Sequence, residues 1–539
     1  MFNRMSFENY RAFRRGSVRI APITILVGAN SIGKSSILQL PLLFKQTYDQ
    51  TDFKYQAALK IHGKEVSFGN AGQVFHKQKT DKPVVFQFDF VDENLLENLK
   101  ENIPSRITDL QLSLFDTISY LSRSEKVNVP NDLKNKISAF LRSHHSSKNP
   151  VIPESIIGDS IRFLQHNDKA KVELPRIFFR REYLRTSGLT PTDYELSQNL
   201  AEKLRGIRSS SFSVRYELSY VNNSGESVLR IERFSLISEK RNILNLIFKE
   251  HDELEFDTDF GDKTIPKYMK ISLARTLDRS RSVFHFYSER KEKGEYLFVS
   301  LIESIISATL SSFSRQFGPN FISHIGPLRA HPKRFYFLDT AQPGSSEGEL
   351  MIEALRENEE LKTQVNLWLK KFDVNIDVSQ FQEIIYRLTV KSGTSPIELD
   401  ITDVGFGISQ ILPILVEGFL SPFGKTILIE QPEIHLHPKM QAEIADLFIE
   451  ISNIKQGAIE RRRFLIIETH SEYLLNRIRA RISSGEISNA DVAIHNVEKI
   501  DDEAKIRGIY VPPDDSFEWP SDFLESDLQD TLTFISRQS

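Results

Sequence analysis

GANSIGKSS, residues 28–36, is the stretch on which the fold turns. It fits G-x-x-x-x-G-K-S/T with Gly28, Gly33, Lys34 and Ser35 in the defined places. Immediately before it runs ITILV (Ile23–Val27), which has the length and β-branching of a buried strand. Immediately after it a helix is expected from Lys34, with Ile37, Leu38, Leu42 and Phe44 on its apolar face and Pro41 kinking it or marking an early end. Strand, glycine turn and helix start together are the context that separates a phosphate-binding loop from a chance match in a turn. The glycines let the backbone from Gly28 through Ala29, Asn30, Ser31 and Ile32 to Gly33 wrap so that successive N–H groups converge on phosphates. The helix start, with Ser36 in its first turn, adds partial positive charge. Lys34 is the counter-charge for β- and γ-phosphates, and the Ser35 hydroxyl completes the shell of a Mg²⁺ ion. The expected cofactors are ATP and Mg²⁺.

The same alternation of strand and helix returns in the last third of the chain. SPFGKTILIE (421–430) ends in a strand, PKMQAEIADLFIEI (438–451) is a helix with Pro438 in its first turn, and RRFLIIETH (462–470) is another strand. The reading is α/β: a mostly parallel sheet with helices on both faces, assembled from the two ends of the chain. The expected division is 1–94 for the N-terminal part of this head, 95–320 for a long α+β insertion, and 321–539 for the C-terminal part. Within the insertion, NDLKNKISAFLRS (131–143) reads as a short helix. SFSVRYELSYV (211–221) and ESVLRIERFSLI (226–237) read as a hairpin around NNSG. No heptad pattern lasts long enough for a coiled-coil arm.

Three carboxylates and a histidine stand at strand ends, where open α/β sheets bind ligands. Glu430 follows four apolar residues and is placed to hold Mg²⁺ through water opposite Ser35; Gln431 and Glu433 follow it. The FLII strand delivers Glu468, Thr469 and His470, with the histidine expected at the γ-phosphate. His435 and His437, with Glu433 nearby, are weighed as a metal site and read instead as part of a dimer-facing loop.

Composition excludes other classes. The 539 residues contain no cysteine, so disulfides, thiolate metal sites and cysteine nucleophiles are out, as suits a reducing compartment. The formal net charge of −4 leaves nucleic-acid contact to local basic patches. Two such patches stand out. PRIFFRREYLR (175–185) interleaves arginines with aromatics, although a solvated helix face over buried aromatics explains it as well. Arg329 to Arg334 forms the second. No signal peptide and no apolar run of about 20 residues is read, so the chain is expected to be cytoplasmic, without membrane contact.

GANSIGKSS, DVGFGISQILP (403–413), LIEQPEIHLHP (428–438) and ETHSEYLLNRIR (468–479) together resemble the ABC-type AAA ATPases of bacterial antiphage defence. Those share a head with the SMC and recombination-repair ATPases. SFENYRAF near the start, HIGPLRAHPKRFYF (324–337) and FEWPSDF (517–523) look like the PtuA-like ATPases of the Septu system, relatives of which serve as retron effectors. The resemblance spans about 1–90 and 322–530. It implies a homodimer in which each ATP is clamped between one subunit's P-loop and the other's signature segment. Here Gly405, Gly407 and Ser409 belong to that segment, with Gly405 standing where the family has serine. It also implies a Q-loop glutamine, matched by Gln73, and an adenine contact, matched by Arg11. In the family a second acid after the Walker B acid polarises the attacking water. This chain has Gln431 there, and an amide orients water without taking its proton. Glu433 is the nearest substitute, and slow hydrolysis is the expectation.

Related nucleases add a Toprim domain after the ATPase. The 69 residues after His470, including EKIDDEAK (498–505), form no convincing two-metal set, so no nuclease is read here. The resemblance implies instead a separate HNH nuclease partner of the PtuB-like kind, with a reverse transcriptase and its RNA/DNA product as further partners of a retron effector. The competing expectations are a DNA-binding ATPase of the SMC or recombination-repair kind and an ATP-bound scaffold that never hydrolyses.

Overall fold

The computed structural model describes residues 2–49, 57–123, 127–143, 152–167, 189–223, 226–249, 253–258, 265–287, 296–329, 331–337, 347–393, 397–453 and 462–511. The arginine–aromatic stretch 175–185 and FEWPSDF at 517–523 lie outside the described residues.

The chain divides into two compact units: Met1–Phe2, Thr51–Lys60 and Thr80–Arg315 in one, and Asn3–Gln50, Ile61–Lys79 and Gln316–Ser539 in the other. The expected boundary at 94/95 falls inside the first unit, which already includes the strand Val84–Val91. That strand pairs antiparallel with Ser211–Asn223, so it belongs with the insertion's sheet.

The second unit is the head. Its six-stranded sheet consists of β1 (Ile23–Val27), β2 (Ile322–Ile325), β3 (Thr426–Glu430), β4 (Phe464–Glu468), β5 (Val492–Ile500) and β6 (Glu503–Ile509). Their spatial order is β6-β5-β1-β4-β3-β2. Every pairing is parallel except that of β5 with β6. All five residues of β1 are buried, as expected of a central strand covered on both faces. The helices that matter to the site are α1 (Lys34–Tyr48), α2 (Phe406–Leu420), α3 (Pro438–Ser452) and α4 (Glu472–Ser483). One apolar cluster joins Ile23, Ile25, Ile427, Ile429, Leu465 and Ile467 of the sheet to Ile411, Leu415, Leu447, Phe448 and Leu475 of the helices. The α/β head expected from the strand–helix alternation is present, built from both ends of the chain.

α1 runs through Pro41 to Tyr48 instead of ending there. A proline inside a helix removes one backbone donor and costs about 3 kcal/mol. Burial of Ile37, Leu38, Leu40, Leu42, Leu43 and Phe44 around it offsets that cost.

The first unit holds an antiparallel meander, Val84–Val91, Ser211–Asn223, Glu226–Ser238, Arg241–Phe248 and Leu254–Asp257, with helices including Asn131–Ser143. Its helix Leu297–Arg315 corrects the reading of apolar runs: by length and composition it is long and apolar enough to cross a membrane. It is 67% buried within the protein, as a core helix is. Serines and a threonine break up the apolar run in sequence, but two of them are satisfied on the helix itself. Ser304 and Thr309 donate to the carbonyls of Ser300 and Ile305, each at 2.7 Å.

Candidate functional site

The phosphate loop lies between β1 and α1, and its backbone can follow this path only with glycine at two places. Gly28 has φ +132° and Gly33 φ +123°. A Cβ at Gly28 would sit 2.1 Å from the carbonyl oxygen of Val497 on β5. One at Gly33 would sit 2.8 Å from Cβ of Ala12. The loop and the start of α1 line an open cavity of about 580 Å³ together with Arg11, Asn30, Ser31, Gln39, Gln431 and Glu468. Within the loop, Lys34 Nζ donates to the carbonyls of Gly28 at 2.9 Å and Ala29 at 2.7 Å. Burial lowers the pKa of Lys34, opposed by the charges of Glu468 and Glu433.

The acid in direct contact with Ser35 is Glu468, whereas Glu430, expected to act through water, stands one strand further out. Ser35 Oγ donates to Glu468 Oε1 at 3.2 Å. The reason is strand order. β4 is the direct neighbour of β1, with Glu468 level with Leu26, whereas β3 lies one strand further out. At about 4.8 Å per strand, an acid on β3 starts roughly twice as far from the P-loop strand as one on β4.

Glu430 meets a different partner. Its Oε1 lies 2.8 Å from Nε2 of His324 on β2, and His324 Nδ1 lies 3.5 Å from Glu65, which also pairs with Lys45 of α1. Burial pulls the His324 pKa down, but the hydrogen bonds to Glu430 and Glu65 outweigh it and hold the imidazole at about 9. The His324 hydrogen bond, against burial and with help from Lys45, lowers Glu65 to about 2.

Gln431 adopts φ +44° and reaches the nucleotide cavity. Its N–H donates to the Glu468 carbonyl at 2.8 Å. Arg329 fixes the same turn by donating to the carbonyls of Glu430 at 3.1 Å and Gln431 at 3.3 Å. Burial brings Arg329 down to about 10.

Glu433 is committed elsewhere. One oxygen accepts the His470 N–H at 2.6 Å and the other accepts the Thr469 hydroxyl at 2.8 Å. It braces the turn after β4, with one acceptor site of each oxygen engaged. Burial raises its pKa despite those donors. The His470 ring is half-buried with Nε2 lacking a hydrogen-bond partner, and burial together with Lys34 lowers its pKa, keeping it neutral.

Arg11 lines the cavity, with its guanidinium 4.9 Å from the centre of the Phe68 ring. Gln73 does not line it: its side chain accepts from the Gly69 N–H at 2.9 Å and holds its own turn. Gly405 and Gly407 stand at the start of α2, with Gly407 packed under Leu436 and His435, and Ser409 lines a separate apolar cavity with Leu412 and Pro413. The signature residues therefore lie apart from their own chain's P-loop cavity. His437 caps α3, its Nδ1 accepting from the Lys439 N–H at 3.3 Å. Among the described residues no group of three or more acids and histidines is gathered for a metal.

A family profile for the AAA ATPase domain matches residues 1–475. The chain belongs to the AAA ATPase domain family. Its fold is accordingly a mixed α/β P-loop ATPase head, and the protein is an ATP-binding P-loop ATPase. No curated protein matches the chain. Among solved structures it is similar to an SMC head domain from Thermotoga maritima, at 8% identity over 95% of this chain and 99% of that one, with a TM-score of 0.35. It is also similar to an Smc head domain with an extended coiled coil bound to the C-terminal domain of ScpA, from Pyrococcus furiosus. That match has 9% identity over 99% and 98% of the two chains, with a TM-score of 0.33.

Besides Gln39 on the cavity wall, His324 and Glu65 of this AAA ATPase domain escaped the sequence reading. His324 carried a signal, a titratable residue inside a short apolar strand. Glu65 carried none, since its role depends on the fold bringing residue 65 beside residue 324.

Proposed function

We propose that the chain is a slow, Mg²⁺-dependent ATPase that works as a nucleotide-held switch. One observation carries this reading. At the position where a hydrolytic base is needed, the cavity is lined by the amide of Gln431, and the next carboxylate, Glu433, is held to the Thr469 hydroxyl and the His470 N–H and does not line the cavity. An amide holds water but does not accept its proton, so ATP stays bound for long periods. Ser35 and a neighbouring carboxylate supply the oxygen donors that suit Mg²⁺, and the bound ion would neutralise charge on the phosphates. By its motifs the switch pairs head to head with a second copy, the segment from Gly405 to Ser409 facing the partner's nucleotide. The resemblance to Septu-type ATPases supports a regulatory role in antiphage defence, with cutting done by a separate HNH nuclease.

The test is Lys34→Ala in the full chain. Loss of ATP binding together with loss of phage protection is expected, whereas protection that survives without ATP binding would sink the reading. A second reading, direct DNA binding as in SMC-type ATPases, is favoured by a groove in the first unit. Arg230, Lys249, Lys267, Lys270, Arg275 and Arg279 line it against three acids. Salt-sensitive DNA binding that is lost on Lys267→Glu with Lys270→Glu would support it.

A further inference from the structure

We propose that the apolar cavity between the loop after β2 and α2 binds a small amphipathic carboxylate, seated on Arg329, and that its occupancy is coupled to the nucleotide cavity. The site stands on its own geometry, whereas the coupling rests on the ATP-binding reading above.

The cavity holds about 270 Å³. A dry cavity of about 150 Å³ takes a benzene molecule, so this one has room for a ring with a short side chain or a chain of about six carbons. Ile325, Leu388, Ile401, Leu412 and Val416 form its buried apolar wall. Leu328, Leu350 and Leu420 also line it and are exposed, Leu328 at 94%, so the apolar lining continues to the protein surface. Apolar walls with a few convergent polar groups are what small-molecule sites have in common.

The charged side chains on the wall are mostly engaged. His324 lies between Glu430 and Glu65, Lys333 pairs with Glu349, and Glu417 accepts from Lys425 and Ser421. Arg329 is different. Its Nη2 donates to the carbonyls of Glu430 and Gln431, but Nε and Nη1 are buried without a hydrogen-bond partner, in a residue only 8% exposed. The charge of Glu433 favours the cation without bonding to it. Ser323 Oγ, on the same wall, is likewise buried and unpartnered. Buried donors of this kind are costly unless an acceptor reaches them, and a charged one most of all. The planar guanidinium matches a carboxylate, which takes two N–H groups at once. One guanidinium balances a monoanion; the second charge of a phosphate dianion would be buried against apolar walls.

The coupling runs through the same side chain. By its Nη2 bonds Arg329 holds the turn that presents Gln431 to the nucleotide cavity. A carboxylate on Nε and Nη1 bears on that turn, and by linkage a bound nucleotide alters carboxylate affinity in return.

The experiment compares hexanoate, hexanol and acetate by ligand-observed NMR titration of the full chain, with thermal melting recorded for each variant. Wild type is expected to bind hexanoate about tenfold or more tighter than either control, because charge and apolar body both contribute. Arg329→Met keeps an apolar side chain and should bring hexanoate down to the level of hexanol. Ala354→Trp, which fills the cavity from the helix Glu347–Glu357, should abolish binding of both. Equal affinity for hexanoate and either control in wild type, or hexanoate binding that survives Ala354→Trp, overturns the site. If Arg329→Met does not fold, the wild-type comparison and Ala354→Trp decide. Saturation with a non-hydrolysable ATP analogue should shift the hexanoate Kd by about fivefold, and an unchanged Kd overturns the coupling. A chain that binds no analogue removes the nucleotide reading and the coupling with it, while the hexanoate comparison still judges the site.

Discussion

The Nε2 of His324 lies 2.8 Å from Oε1 of Glu430, which ties the acid at the end of β3 to the edge strand β2. The tie is electrostatic and therefore depends on pH. His324 is held at about 9 against an ordinary value of 6.5, so the charged imidazolium favours the folded state. That contribution is complete below about pH 6.5 and disappears as the pH rises through 9. The difference in stability between wild type and His324→Gln should be on the order of 2 kcal/mol near pH 6 and shrink steadily towards pH 9. Thermal melts of both proteins across that window check it, and a difference that does not change with pH would contradict it.

Gln431→Glu restores a carboxylate at the cavity wall, next to the position of the attacking water. Steady-state ATP turnover should rise by about tenfold or more, since a positioned general base contributes on the order of 10²–10⁴. Nucleotide affinity should change little by comparison. Unchanged turnover would mean that the amide is not what limits hydrolysis.

Glu433→Gln addresses the brace behind His470. The carboxylate accepts one backbone N–H and one hydroxyl. A glutamine offers a single acceptor oxygen, so either the His470 N–H or the Thr469 hydroxyl faces an NH₂ group. The hydroxyl can rotate to donate elsewhere, whereas the N–H cannot. A loss of about 1–3 kcal/mol in stability is expected from denaturant unfolding. Turnover should fall while ATP affinity holds, because the loop carrying His470 shifts and the P-loop does not. A variant as stable as wild type would show the brace to be dispensable.

What the sequence disclosed follows from the range of the forces involved. The P-loop, α1 and the strands of the head were legible because a short apolar run and a glycine turn report on neighbours close in sequence. That Glu468 would be the acid in contact with Ser35 was not legible, because strand order in a sheet is a long-range property. Nothing near residue 430 says that β4 will lie between it and β1. The same limit hid the pairing of Glu65 with His324 and the second bond of Glu433, contacts that exist only after the sheet forms. Pro41 does not end its helix early, one of the two outcomes its presence suggested, since that local preference gave way to the burial of six apolar neighbours.

The P-loop glycines allow a last discrimination, between conformational strain and collision. Gly28 and Gly485 both have positive φ, +132° and +73°. A Cβ at Gly485, just past α4, meets nothing within 4 Å, so Gly485→Ala costs only the strained backbone, about 1 kcal/mol. A Cβ at Gly28 would meet the carbonyl oxygen of Val497 at 2.1 Å. That oxygen belongs to the backbone of β5, where Val497 is paired with Ile506 of β6, and cannot turn aside as a side chain would. Gly28→Ala should therefore cost about 2–4 kcal/mol and displace the loop enough to lose ATP binding. Denaturant unfolding and nucleotide titration of both variants test this. Equal costs at the two positions would show that φ alone, and not the closeness of β5, makes glycine necessary at the head of the loop.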